Sequence, residues 1–176
     1  MEPLDLTWLG EREVERVGLG DDEILAAVEL GLRAQAAGET VIEPRMHLEP
    51  DPALKGHFNV LRAYVAPLGL AGVKVIGDYV ENYRLGLPSE LGLLCLFDAT
   101  TGAPVAVLSA AAITEMRTGA LTALGARHLA RPDARVLGHV GARRTAYWNV
   151  RLLDRRFDFE EIRVHSRRPE SREAFA

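Results

Sequence analysis

The chain of 176 residues has a single cysteine, Cys95, which excludes an internal disulfide and a cysteine-based zinc site. No apolar run approaches the roughly 18 residues of a membrane-spanning helix. No strongly basic block stands against the net charge of −4, so a nucleic-acid partner is not expected. The first residues, MEPLDLTWLG, lack a basic region followed by an apolar stretch, so no secretory signal is visible. No internal repeat or low-complexity tract occurs. His47, His57, His128, His139 and His165 show no ligand spacing, so core or surface roles are expected for them and no metal. Together these absences predict a cytoplasmic protein with neither membrane nor nucleic-acid binding. What is present is ordinary globular composition, 48% hydrophobic and 26% charged. The length allows one large domain or two small ones, with roughly 70% of the unfolded surface buried.

Asp21 and Asp22 precede Ile24, Ala27, Val28, Leu30, Gly31 and Ala34, an acid-capped helical spacing closed by Gly38. TVIEPRMHL (40–48) reads as extended, with Pro44 marking an edge or a bulge. Residues 57–67 and 70–80 are two β-rich runs. Residues 92–110 form the clearest hairpin: two apolar runs flank Asp98-Ala-Thr-Thr-Gly102, whose glycine can take positive φ. Ser109 is expected to cap a helix running to about Leu129, ended by Pro132 and Asp133. Ala112, Gly119, Ala120 and Ala123 keep that helix thin enough for a backbone or a ligand to approach. Cys95, Trp8 and Trp148 are expected to pack as hydrophobes. Composition changes after Pro132. The expected fold is α/β, an α+β part over 1–132 followed by a βαβ unit over 133–176.

That unit carries the chemistry. An apolar run, Val136 to Val140, meets a glycine turn at Gly141. A helical stretch follows, and a second run, Glu161 to His165, ends in Ser166-Arg167-Arg168. A dinucleotide fingerprint needs a glycine for the tight turn and a second where backbone meets pyrophosphate. It also needs a small residue for packing and a helix N-terminus for the anion. Gly141 and Ala146 supply the first and third; Arg143 stands at the middle position. Either a nucleotide site or a plain strand–helix corner fits this pattern. After the second strand, a hydroxyl and guanidinium groups suit a 2′-phosphate, where an acidic residue would suit a ribose 2′-hydroxyl. A bound dinucleotide would then be NADP rather than NAD; the alternative is a solvated arginine pair.

The segments EPRMHL, GVKVIG, NYRLGLPSELGLLCLFDATTGAPVAVLSA and ITEMRTGALTALGARHLARPDARVLGHVGA follow one another in this order. On them the chain resembles the ornithine cyclodeaminase/mu-crystallin family of NAD(P)-dependent enzymes over nearly its whole length. Met116-Arg117-Thr118-Gly119-Ala120 is the most specific match. The resemblance implies an N-terminal dimerisation and substrate domain followed by a Rossmann-like domain, here partial, and a homodimer. It implies hydride transfer at an α-carbon bearing nitrogen and a carboxylate, as in ketimine reduction, cyclodeamination or amino-acid dehydrogenation. By similarity Arg45, Lys74 and Arg117 would converge on the carboxylate of an amino-acid or imino-acid substrate, and cations suit that task. Ser89 and Thr118 would meet the cofactor beside Gly141, Ala142, Arg143, Ser166 and Arg167.

The chain departs from the family pattern at three points. Arg143 replaces a usual glycine, and Thr145 a common glutamine. Phe58–Arg62 holds no carboxylate where cyclodeaminases carry a catalytic glutamate, which argues against ornithine cyclodeamination itself. The family's catalytic aspartate belongs to a second half of the Rossmann domain, so no catalytic acid is assigned and the chain is expected to be an N-terminal half. Asp78 and Glu81 could assist proton transfer or form a solvated loop. The alternative function is a non-catalytic small-carboxylate-binding or dimerisation protein with a degenerate cofactor site.

Overall fold

Residues 4–175 are described in the computed structural model. The chain forms two compact units. One comprises the residues up to Gly18 with Gly31–Ala112; the other comprises Leu19–Leu30 with the residues from Ile113 onward.

The first unit is built on a seven-stranded sheet. Its strands are β1 (Thr7–Leu9), β2 (Thr40–Ile42), β3 (Met46–Leu48), β4 (Gly56–Val65), β5 (Leu70–Tyr79), β6 (Glu90–Asp98) and β7 (Pro104–Ser109). Their spatial order is β1-β7-β6-β5-β4-β2, with β3 also paired to β4. β1 runs parallel to β7; every other pair in this sheet is antiparallel. A short helix, α1 (Glu11–Arg16), follows β1 and buries Val14. β1 and α1 are too short for the periodicity of the sequence to reveal.

Pro44 acts as expected. Ile42 pairs with Ala63 and Met46 with Val60. Glu43, Pro44 and Arg45 therefore face only Leu61 and Arg62, a one-residue bulge on the sheet edge. The hairpin turn is also as read. Gly102 has φ 72°. The Asp98 carboxylate accepts from the amides of Thr100 and Thr101 and from the Thr101 hydroxyl at 2.7–3.1 Å. These bonds, the Thr101 hydroxyl's foremost, hold its carboxyl below the ordinary value.

Register divides the sheet into two faces, because side chains alternate along each strand. Lys74, Ile76, Leu94, Ala106 and Leu108 share one face. Ile76, Ala106 and Leu108 on it are buried. The opposite face carries Val41, Met46, Leu48, Val75, Leu91 and Leu93. All six are exposed, Leu93 by 43% and Met46 by 57%. Cys95 lies on this second face and is half-buried rather than enclosed. Trp8, expected to pack, is 62% exposed, because it sits on the edge strand β1.

Helix α2 (Asp21–Ala36) matches its expected span. The Glu23 carboxylate accepts from the Gly20 amide at 2.7 Å, satisfying a donor that the helix start leaves open. Gly38, at φ 74°, turns the chain out.

The second unit holds most of α3 (Ala111–Leu129), then β8 (Val136–Val140), α4 (Arg144–Asp154), β9 (Glu161–His165) and the short α5 (Pro169–Glu173). Ser109 is not at the N-cap position of α3: it is the last residue of β7, paired with Leu93, and α3 begins two residues later, at Ala111. α3 meets α4 where the sequence left room. A Cβ on Gly119 would lie 2.6 Å from the Trp148 carbonyl oxygen. Ala120 and Ala123 are fully buried beside it in sequence. Trp148 is half-buried, with the Arg151 guanidinium 4.8 Å over its ring. Arg151 also bridges to Asp21 at 2.8 Å, which ties α4 to the start of α2. Among the described residues no helix is long and apolar enough to cross a membrane.

Candidate functional site

β8 and β9 pair in parallel, from Val136 with Glu161 to Val140 with His165. The ladder extends one step further, the Gly141 amide donating to the His165 carbonyl at 2.8 Å. Gly141 then turns the chain at φ 113°, a region that side-chain-bearing residues rarely enter. Ala142 and Arg143 lead into α4. Arg143 is its N-cap, extended at φ −119°, with no side-chain capping bond.

This turn opens on a cleft of about 280 Å³ at the carboxyl ends of the two strands. Gly141, Ala142, Arg143 and Ser166, all singled out from sequence, line it. Thr145, Ala146, His139 and Asn149 line it as well. Ala146 is buried, as the small packing residue of a fingerprint should be. Arg167 is exposed and outside this lining; the Ser166 carbonyl accepts from the Arg172 guanidinium at 2.6 Å.

The charges at the start of α4 are unusual. A helix N-terminus carries the equivalent of roughly half a positive charge, and acidic residues normally sit there. The first turn of α4 has none and instead begins with Arg144, after Arg143. Glu115 on α3 meets the Arg144 guanidinium at 3.1 Å. A turn with this polarity, aimed by a glycine, has the chemistry of an anion cradle.

The cations expected at a substrate carboxylate are distributed as follows. Arg45 is exposed in the bulge between β2 and β3. Lys74 is half-buried in the middle of β5, opposite Leu61 and Leu94. Arg117 is exposed on α3. Ser89 is half-buried before β6, and its carbonyl accepts from the Tyr79 amide at 2.8 Å. Thr118 donates its hydroxyl to the Thr114 carbonyl at 2.6 Å, so that oxygen offers only its lone pairs. Glu81 accepts from Lys55 at 2.8 Å and from Arg84 at 3.1 Å. The Lys55 bond first, then the Arg84 charge, keeps its carboxyl below the ordinary value. A general acid needs the opposite shift, so the solvated-loop reading of Glu81 is the better one.

From sequence His139 carries only the expectation of a core or surface role, and Asn149 none. His139 Nδ1 lies 3.1 Å from the Gly141 carbonyl oxygen, and its Nε2 3.3 Å from Asn149 Nδ2. The available signal was position: His139 stands two residues before the glycine, on the face of β8 where residues are half-buried.

A parallel strand–glycine turn–helix–strand with a cleft at its turn defines a Rossmann-like α/β unit, joined here to a mixed-sheet unit. The chain belongs to the ornithine cyclodeaminase/mu-crystallin family, whose model matches residues 9–176. It is 34% identical to the alanine dehydrogenase of Archaeoglobus fulgidus over 99% of this chain and 52% of that protein. It is 30% identical to the ketimine reductase mu-crystallin of Mus musculus over 77% of this chain and 44% of that protein. Its fold superposes with a TM-score of 0.92 on the Δ1-pyrroline-2-carboxylate reductase of Thermococcus litoralis in complex with NADH and L-proline. That match is 28% identical and covers 97% of this chain and 52% of the other. The chain thus spans about half the length of the curated relatives it matches.

Proposed function

We propose that this chain forms the substrate part and the opening of the cofactor part of an NADP(H)-dependent reductase or dehydrogenase. Its substrate is a cyclic imine or an amino acid, and hydride moves at the α-carbon beside a carboxylate. The observation that carries this reading is the cleft at Gly141. A family member has there a positive-φ glycine, a helix start bearing Arg143 and Arg144, and Ser166 in the same lining. These groups fit a dinucleotide phosphate, since the positive helix end and the Arg143 guanidinium favour an anion in the cleft, while Arg144 beside it is bridged to Glu115.

Gly141, Ala142 and Arg143 are assigned to the pyrophosphate, and Ser166 with Arg167 to the 2′-phosphate. Ser89 and Thr118 are assigned to the rest of the cofactor, with Thr118 as an acceptor. The nicotinamide supplies or takes up the hydride. The chain's own task is to hold the substrate carboxylate, for which Arg45, Lys74 and Arg117 are the assigned cations. In this reading residues 1–132 serve substrate binding and dimerisation, and 133–176 begin the cofactor domain. The work is done in the cytoplasm.

The partner in dimerisation is a second copy. The exposed face bearing Val75, Leu91, Leu93, Met46 and Leu48 is a contiguous apolar surface of the kind that monomers rarely leave uncovered. Light scattering should give a dimer for the wild type and a monomer for Leu93→Lys.

Titration of NADPH and NADH by fluorescence, followed by turnover of cyclic imines and of 2-oxo acids with amine, tests the activity. Tighter NADPH binding with imine-dependent oxidation supports it. Absence of binding by both cofactors would instead support the non-catalytic carboxylate-binding reading, which the arginine at the middle of the turn favours.

A further inference from the structure

We propose that His139 is the positioning residue of the glycine turn, locking it to α4 as a neutral imidazole with its proton on Nδ1. It builds on the dinucleotide reading of the cleft, but the lock itself belongs to the ligand-free chain.

A backbone carbonyl can only accept. The 3.1 Å approach of Nδ1 to the Gly141 oxygen therefore requires the proton on Nδ1. In the neutral ring Nε2 is then an acceptor, and it faces the Asn149 amide nitrogen at 3.3 Å, a donor. Both ring nitrogens are matched by one tautomer. Turning the Asn149 amide over would place its oxygen against Nε2 and demand an imidazolium. The orientation observed leaves Asn149 Oδ1 buried without a hydrogen-bond partner. The neutral lock therefore carries an unpaired acceptor, a cost tolerated where a site needs a defined geometry.

The consequence falls on the phosphate donors. Gly141 is held from two sides: its N–H by the His165 carbonyl and its C=O by His139. A planar trans peptide points its C=O and the next N–H in opposite directions. Fixing the Gly141 carbonyl therefore fixes the Ala142 N–H, the first backbone donor of the turn. A turn with two flexible glycines would gain such preorganisation from neither; here one glycine is pinned by a side chain from the preceding strand. Gly141 has no Cβ to restrict its backbone and sits at positive φ, so a side-chain clamp on its carbonyl removes freedom that the residue itself does not restrict.

The test uses the protein and two variants. Nitrogen NMR of the ligand-free wild type should show His139 as the Nδ1–H tautomer near pH 7. An unprotonated Nδ1 overturns the lock whatever the cofactor does. His139→Leu removes both bonds. His139→Asn keeps a donor at the δ position and loses only the link to Asn149. NADPH Kd should rise roughly fivefold or more in the leucine variant, about the loss of one hydrogen bond. It should return to within about twofold of wild type in the asparagine variant. Wild-type affinity in His139→Leu, or no rescue by His139→Asn in a variant that unfolds at the wild-type midpoint, refutes the positioning role. If the wild type binds no dinucleotide yet shows the Nδ1–H tautomer, the cofactor reading fails and the lock stands.

Discussion

Gly119→Ala offers the sharpest test of how the second unit is packed. Alanine in a helix interior is favoured over glycine by about 1 kcal/mol, so propensity alone predicts stabilisation. Tertiary geometry predicts the reverse. The new Cβ would lie 2.6 Å from the Trp148 carbonyl oxygen, 2.7 Å from its carbon and 3.0 Å from its Cβ. Ordinary contact needs roughly 0.8 Å more than the shortest of these. The obstructing atoms are helix backbone and cannot swing aside, so α3 and α4 must separate. Overpacking of this kind costs about 1–3 kcal/mol. The control is Gly125→Ala on the same helix, where nothing lies within 4 Å of the added carbon. The propensity gain is common to both variants, and the difference between them isolates the clash at about 1–3 kcal/mol. Urea denaturation followed by helical circular dichroism measures it. Gly125→Ala should unfold at a higher midpoint than wild type and Gly119→Ala at an equal or lower one. Equal midpoints for the two variants would refute the close approach of α4 to α3.

Three further outcomes follow from the site and the sheet. Ser166→Asp should move preference towards NADH by about tenfold in the ratio of dissociation constants, since a carboxylate repels a 2′-phosphate and accepts from a 2′-hydroxyl; an unchanged ratio would show that Ser166 does not read that position. Lys74→Ala should raise KM for the carboxylate substrate more than for the cofactor, and equal effects would contradict its assignment. Asp98→Ala should lower stability at neutral pH by releasing the three donors of the hairpin turn. Because the Asp98 carboxyl is held below its ordinary value, its contribution is present above the unfolded carboxyl's pKa and is lost as pH falls through the lower folded value. Wild type and Asp98→Ala should therefore converge in stability on acidification; a constant gap down to pH 2 would mean that the turn does not depend on the ionised carboxylate.

Local chemistry made much of this protein legible in its sequence. The acidic start of α2, the Asp98–Gly102 turn, the bulge at Pro44 and the strand–glycine–helix of the second unit each follow from residues near one another in the chain. Proline lacks a donor, glycine reaches positive φ and a carboxylate caps nearby amides, and none of these needs a distant partner. Ser166 was legible for a different reason: parallel pairing of β8 and β9 brings the end of one strand beside the turn after the other, so the motif carries its own topology. The family segments EPRMHL, GVKVIG and EMRTG supplied the site cations by likeness, which spacing alone could not have done.

What remained depended on contacts that no local pattern encodes. Trp8 reads as a core residue until the sheet order leaves it on an edge strand. Ser109 reads as a helix cap until pairing with Leu93 places it at the end of β7, two residues before α3. His139 reads as one more apolar-strand histidine until folding sets its two nitrogens between the Gly141 carbonyl and the Asn149 amide. Sequence determined the longer elements, the glycine turn and the chemical classes of the candidate groups, because these depend on backbone freedom and side-chain type. Tertiary structure alone decided which face of the sheet is bare, how closely α4 meets Gly119 and which proton the imidazole of His139 must carry, because each is a distance between residues set by register and packing.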